Sequence, residues 1–272
     1  MEYPLLGLEL AREIELAEAE AAVACAGWLM AAQGDGAGAV ASIGGGYAVY
    51  CGANSPVTQA VGLGLNGAVS KEEFDRLEEF YFSRKEPVRV ETCPMADGSL
   101  IEHYRERGYY ASEFSNVMVR PVEKMAAAAL PAGIDIQKAE EGEIDLWTLT
   151  VAQGFAEHFP VTQQMLSVMR LFASGRDTEC YFGRVDGKIA GGATLALRGR
   201  IAGLFGASTL PQFRNRGVQT ALLHARIERA AEKRCELAMS LAVPGSVSER
   251  NITRRGFRTL YTRVKFERAL RV

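Results

Sequence analysis

The chain repeats itself, and the repeat limits what it can fold into. Residues 90–120, VETCPMADGSLIEHYRERGYYASEFSNVMVR, align with residues 238–268, AMSLAVPGSVSERNITRRGFRTLYTRVKFER, at a constant offset of 148. Gly108-Tyr109 then falls on Gly256-Phe257. Each copy reads as a short apolar strand, a small or polar turn, an amphipathic helix rich in Arg, a Gly-aromatic pair and a final strand. Upstream, GLGLNGAV (62–69) resembles AGLFGAST (202–209), with Gly67-Ala68 on Gly206-Ala207 at an offset of 139, so the second half carries nine extra residues between the two match points. Repetition fixes architecture ahead of any local signal, and two matches in the same order point to a duplicated domain. The alanine-rich stretch PVEKMAAAALPAG, with a proline near each end, closes the first half. We expect a first domain over 1–122, a linker over 123–133 and a second domain over 134–272. Each half is long enough for its own core.

Within the second half the local signals are clear. A strand over 134–138 precedes a helix at about 143–157 carrying Ile144, Leu146, Trp147, Val151 and Phe155, then a helix at about 162–173 with Thr162 as N-cap. CYFGRV, KIAGGATLAL and RIAGLFGAST read as three strands. Asp186-Gly187 marks a hairpin between the first two, and Arg198-Gly199 joins the third. A helix from about Gly217 to Lys233, a strand ELAMSLAV, a short helix at about 246–255 and a strand around 260–266 complete the half. This order predicts a mixed α/β fold of the α+β type.

Charge and cysteine usage narrow the function. The net charge of −2 argues against a dedicated nucleic-acid binder, yet it averages two unlike ends. Residues 1–70 sum to −6, whereas residues 211–272 hold fourteen basic side chains against five acids, a net of +9. The basic end is a solvated face or meets an anion. It lacks a helix-turn-helix pattern and aromatic interleaving, so no nucleic-acid partner is expected. The five cysteines are widely spaced, without C-x-x-C, as suits reduced thiols in a cytoplasmic protein. His103, His158 and His224 are scattered, and no metal site is expected. The glutamate-rich N-terminus does not read as a signal peptide, and the apolar stretch Ala21–Ala32 is too short to span a bilayer, so no membrane partner is expected. GDGAGA (34–39) has nucleotide-loop spacing but follows a helical pattern and precedes none, so it reads as a connector.

The stretch with chemical content is LFGASTLPQFRNRGVQTALLHARIERAAEK, 204–233. A strand ends near Thr209, a proline turn follows, and Arg214-Asn215-Arg216-Gly217-Val218-Gln219-Thr220 opens an amphipathic helix. A loop feeding a helix N-terminus aims several N–H groups at one spot, and the helix dipole favours negative charge there. Gly217 lets the backbone approach closely, and two arginines add formal charge. The pattern suits a pyrophosphate.

Here the sequence resembles the GNAT superfamily of acyl-CoA N-acyltransferases, whose phosphate loop reads Q/R-x-x-G-x-G/A after the fourth strand. Arg214 and Gly217 match, as does the lead-in Pro211-Gln212-Phe213-Arg214, while Gln219 stands where the last small residue belongs. Gly256-Phe257 before the final strand also fits, and the resemblance covers about 133–270. It implies two tandem GNAT-like domains, each a mixed, mostly antiparallel sheet flanked by helices, and acetyl-CoA as co-substrate. It implies that Ser208, Thr209 and Leu210 hydrogen-bond the pantetheine arm. Arg214, Asn215, Arg216, Gly217, Val218, Gln219 and Thr220 would hold the pyrophosphate.

In many members of the superfamily a Tyr four residues before the Gly-aromatic pair protonates the leaving thiolate. Ile252 stands there in the second half, whereas the first half has Tyr104. The first half in turn lacks a phosphate loop, because GAVSKEEFDRLEEF has no R-x-x-G and is acidic. It reads as a degenerate copy that does not bind CoA, with Tyr104 as packing. Tyr261 and Asn251 are the catalytic candidates, with Ser246 as a catalytic or capping residue. Glu157 and His158, between the first two helices of the second half, are the candidate substrate contacts. The expected activity is transfer of an acetyl group to a primary amine of a small molecule or peptide. The alternative is a non-catalytic acyl-CoA-binding sensor or regulatory module.

Overall fold

The repeat reappears in the order of the elements. The computed structural model describes residues 3–123, 132–156, 159–175 and 177–270. The first half runs α1 (Leu8–Gln33), β1 (Ala39–Ile43), β2 (Gly46–Tyr50), β3 (Gln59–Val61), α2 (Lys71–Phe82), β4 (Val88–Thr92), α3 (Ser99–Arg107) and β5 (Tyr110–Pro121). The second runs β6 (Ile134–Lys138), α4 (Ile144–Ala156), α5 (Gln163–Phe172), β7 (Thr178–Val185), β8 (Lys188–Arg198) and β9 (Ile201–Thr209). It continues through α6 (Val218–Glu232), β10 (Leu237–Ala242), α7 (Val247–Thr253) and β11 (Arg258–Arg268). From β1 to β5 and from β7 to β11 the two series match element for element.

The Gly-aromatic pairs have one physical job. Gly108 and Gly256 end α3 and the turn after α7 in the left-handed region, at φ 73° and 84°. The next amide, of Tyr109 or Phe257, returns to the carbonyl of Tyr104 or Ile252. Only glycine adopts that geometry freely, so it stops the helix and delivers an aromatic ring to the strand that follows.

The chain divides into two compact units, Met1–Arg120 with Leu241–Val272, and Pro121–Ser240. The expectation of one continuous domain over 134–272 is therefore corrected. The C-terminal strand belongs with the first unit, whose sheet has the order β1-β2-β3-β4-β11-β5. There β11 runs antiparallel to β4, with Val264 opposite Thr92, and antiparallel to β5, with Thr262 opposite Asn116. Its hydrogen bonds go to strands about 140 to 180 residues earlier in the chain, a distance that carries little penalty because loop-closure entropy grows slowly with length. Phe74, Leu77 and Tyr81 of α2 pack with Val88, Val90, Leu100 and Tyr104 in this unit's core. Tyr104 stacks on Phe266, with centroids 4.4 Å apart, and shares a hydrogen bond with Thr92.

The second unit is a mixed, mostly antiparallel sheet in the order β10-β9-β8-β7-β6. Asp186 and Gly187 both take positive φ, 50° and 76°, which is the twist a two-residue hairpin needs. Thr162 caps α5 by accepting from the Met165 amide at 3.2 Å. Trp147 and Val151 of α4 lie so close to β8 that a Cβ on Gly192 would meet both at 2.8 Å. Gly183 of β7 makes the same kind of room for Val218 of α6. These close approaches seat α4 and α6 on β7 and β8, with β9 beside them.

The strand registers also correct the upstream repeat match. Val90 pairs with Ala60 in the first unit, and its repeat equivalent Ala238 pairs with Ala202 in the second. Ala60 thus corresponds to Ala202, an offset of 142 rather than 139. The glycine-rich similarity of 62–69 to 202–209 slid the match by three residues, because those glycines serve turns in one copy and a strand in the other.

Candidate functional site

The site grows from the end of β9. This strand pairs in parallel with β10 over three rungs, from Ile201↔Leu237 to Gly203↔Met239. Just beyond, the Ser240 hydroxyl donates to the Leu204 carbonyl at 3.1 Å. Against β8 the register shifts: Thr194 faces Phe205, then Gly192 faces Ser208, so Gly206 and Ala207 bulge against one residue. Gly206 takes φ 55°, a value L side chains rarely adopt. Past the bulge the Ser208 hydroxyl donates to the Val151 carbonyl at 2.9 Å. The Leu210 amide donates to the Ala190 carbonyl at 2.8 Å. The buried Thr209 hydroxyl oxygen has no hydrogen-bond partner among the described residues. Gly154 brings α4 directly over this point, since a Cβ there would fall 2.3 Å from the Ser208 hydroxyl.

A single 3-10 turn, Pro211–Phe213, leads from β9 into the loop. Asn215 and Gly217 are both left-handed, at φ 63° and 89°, and α6 starts at Val218 with no side-chain cap. The first helical hydrogen bond is Ala221 to Gly217, so the amides of Val218, Gln219 and Thr220 precede it at the positive end of a 15-residue helix. Arg216 is half exposed and pairs with Asp186 at 3.1 Å. Arg214 turns back, donating to the carbonyls of Gly154 at 3.2 Å and Thr209 at 3.4 Å, and so ties the loop to α4 and β9.

The equivalent helix start in the first unit is filled by the chain itself. Ser70 caps α2, its hydroxyl accepting from the Glu73 amide at 3.1 Å. The Glu73 carboxylate accepts from the amides of Ser70 at 3.0 Å and Gly44 at 3.2 Å. Those backbone bonds hold its pKa below the usual value. A carboxylate thus takes the position at which the second unit has a helix start with no side-chain cap.

The catalytic candidates lie in the first unit. Tyr261 is buried on β11 and donates to Glu15 at 2.7 Å. Burial and the Glu15 charge drive its pKa strongly upward, and its hydroxyl proton lies in the hydrogen bond to Glu15. Asn251 is exposed on α7. Ser246 is the cap of that helix, accepting from the Glu249 amide at 3.1 Å. Glu157 and His158 lie outside the described residues. No group of His, Cys, Asp and Glu side chains suited to a metal occurs among the described residues. No described helix is long and apolar enough to cross a membrane.

Sequence reasoning missed Arg226. It lies on the buried face of α6 with Leu222, Leu223, Ile227 and Ala230, and its guanidinium reaches the carbonyls of Thr194 and Phe205 at the β9 bulge. The signal was present: a basic residue four positions from Leu222 and four from Ala230 falls on an apolar stripe.

Residues 145–257 match the model of the acetyltransferase (GNAT) family. Among solved structures, the chain is similar to a GCN5-related N-acetyltransferase from Kribbella flavida, at 16% identity and TM-score 0.64, over 92% of this chain and 95% of that one. It is similar to a tandem GNAT protein from the clavulanic acid biosynthesis pathway (without AcCoA), at 15% identity and TM-score 0.59, over 86% and 83% of the two chains. A GCN5-related N-acetyltransferase from Sphaerobacter thermophilus gives 15% identity and TM-score 0.56, over 74% and 69%. No curated protein matches the sequence.

Proposed function

We propose that this chain, which carries a GNAT-family acetyltransferase domain over residues 145–257, moves an acetyl group from acetyl-CoA to a primary amine of a small molecule or peptide. The observation that carries the reading is the start of α6: an uncapped helix N-terminus, entered through a left-handed glycine and flanked by Arg214 and Arg216. The residues present fit acetyl-CoA in two further respects. The orphan Thr209 hydroxyl is a buried polar group in need of a partner, and the pairing of β9 with β10 covers only its first rungs.

In this reading the amides and side chains of 214–220 hold the pyrophosphate, and Ser208, Thr209 and Leu210 line the pantetheine arm. The Ser208 hydroxyl and the Leu210 amide are already bonded within the protein, so their contribution is to fix the strand end, while Thr209 offers a hydroxyl. Acetyl-CoA supplies a thioester whose acyl group an amine accepts. The chain's part is to hold that thioester still, with a strand-end amide directed at its carbonyl oxygen. Asn251 stays a proposal as a catalytic residue, and Glu157 and His158 stay proposals for contact with the acceptor. The first unit, with its helix start filled by Glu73, serves as support. Five buried thiols suit action in the cytoplasm.

Calorimetric titration of acetyl-CoA into the protein and into Gly217→Glu tests the reading. Saturable binding by the parent is expected. Loss of about a hundredfold or more is expected in the variant, which places a strained carboxylate at the anion site. No binding by the parent overturns it. Ile252 in place of the tyrosine acid, with Tyr261 committed to Glu15, favours the second reading, a non-catalytic acyl-CoA sensor. Thiol release from acetyl-CoA with any member of an amine panel rejects that alternative.

A further inference from the structure

We infer that Arg226 is a positioning residue: its guanidinium fixes the register shift of β9 and thereby holds Ser208, Thr209 and Leu210 in place. The inference rests on the acyl-CoA reading for the purpose of that strand end.

Arg226 is 3% exposed. Its Nε donates to the Leu222 carbonyl at 3.1 Å, and one terminal nitrogen donates to the Thr194 carbonyl at 2.9 Å and the Phe205 carbonyl at 3.4 Å. These partners are all backbone carbonyls. Burial lowers its pKa to about 10, so it stays a cation at neutral pH. A buried cation held by dipoles alone is costly, and an apolar side chain would fill the same stripe without that cost. Its placement therefore calls for a specific task.

The task is visible in the ladder. Thr194 and Phe205 form the last regular β8–β9 pair before the shift, and both turn a carbonyl to the same guanidinium. Next come Gly206, with its left-handed backbone, and Ala207 against Ala193 alone. Without the cation, both carbonyls would lose this donor in the core, and β9 would be relieved by slipping toward a regular ladder. A one-residue slip turns every following side chain to the other face. Ser208 would leave the Val151 carbonyl, and Thr209 and Leu210 would exchange faces. Arg226 and Gly206 thus act on one feature from opposite directions, one through charge and one through backbone.

Amide hydrogen exchange on the full chain, read residue by residue, tests this in Arg226→Met, Arg226→Lys and Gly206→Ala. We expect exchange at 204–210 to rise roughly tenfold in Arg226→Met, about the factor of one lost hydrogen bond to a charged donor. Strands β6 and β7 should keep wild-type exchange, which a merely structural loss would not allow. Lysine keeps the charge and should recover part of the protection, while Gly206→Ala should reproduce the Arg226→Met pattern. Acetyl-CoA affinity, by calorimetry, should fall in parallel with exchange. Wild-type exchange at 204–210 in Arg226→Met and Gly206→Ala overturns the inference. Should Arg226→Met fail to fold, wild-type exchange in Arg226→Lys and Gly206→Ala overturns it equally. If the parent binds no acetyl-CoA while the exchange pattern follows expectation, the acyl-CoA reading falls and the positioning of β9 by Arg226 stands.

Discussion

Single residues here carry charge into places where charge is expensive. Glu15 is fully buried on α1, accepts from Tyr261, and faces Arg263 at 3.3 Å. Burial raises its pKa to about 7, outweighing the attraction of Arg263, which is shared with Glu18 and Glu91. The unfolded carboxyl titrates near 4.5, so between those values the folded chain binds the proton the unfolded chain lacks. Stability from this group is present at the acid end and is lost as pH rises through about 7. Urea unfolding between pH 5 and 7.5 should therefore show the wild type losing up to about 1.4 kcal/mol per pH unit relative to Glu15→Gln. The glutamine keeps an acceptor for Tyr261 and has nothing to titrate. Equal slopes for the two proteins would reject the assignment.

At the scale of elements, two helix starts at equivalent places in the element order do opposite things. In α2 the Ser70 and Glu73 box satisfies the N-terminus internally, while α6 starts at the left-handed Gly217 with no side-chain cap. Ser70→Ala should cost about 1 kcal/mol in unfolding free energy and leave the calorimetric affinity for acetyl-CoA unchanged. A change in affinity would mean that the first helix start takes part in binding. Such local devices were legible in the sequence. Thr162, Ser246 and Asp186-Gly187 each act within a few residues, and the structure finds them as cap, cap and hairpin. The loop that opens α6 was legible as a strand–turn–helix for the same reason. The bulge at Gly206 was not, because it depends on a guanidinium twenty residues further along. Arg214 was read as a charge for the ligand, and its bonds to Gly154 and Thr209 depend on a helix sixty residues away. Tyr261 was read from its place on the last strand, whereas what it meets is set by α1, far off in sequence.

At the scale of the whole molecule, the charge asymmetry has a different meaning from the one the sequence suggested. Three of the fourteen basic residues of the C-terminal stretch, all on β11, answer the chain's own acids in the first unit. Arg263 meets Glu15, Glu18 and Glu91, Lys265 meets Glu91 and Glu113, and Arg268 meets Glu78. In the α6 loop the basic charges are Arg214 and Arg216. The destination of β11 was hidden because strand pairing is non-local and an apolar pattern does not name its partner. A direct check is complementation. Residues 1–120 alone should lack a cooperative thermal transition by circular dichroism, since β4 and β5 then have no strand between them. Adding residues 241–272 in trans should restore one. A cooperative transition in 1–120 alone would show that β11 is dispensable to that unit.

The position of β11 also sets an order of events at the ribosome. Chains commonly fold from the N-terminus as they emerge, domain by domain. Here the N-terminal unit is begun before the other and completed after it, because a central strand of its sheet is made from residues 258–268. Until residues 258–268 emerge, β4 and β5 lack the strand that lies between them and present open edges to other chains. The unit that carries the α6 loop lies entirely within Pro121–Ser240 and is complete in sequence before that last strand is translated.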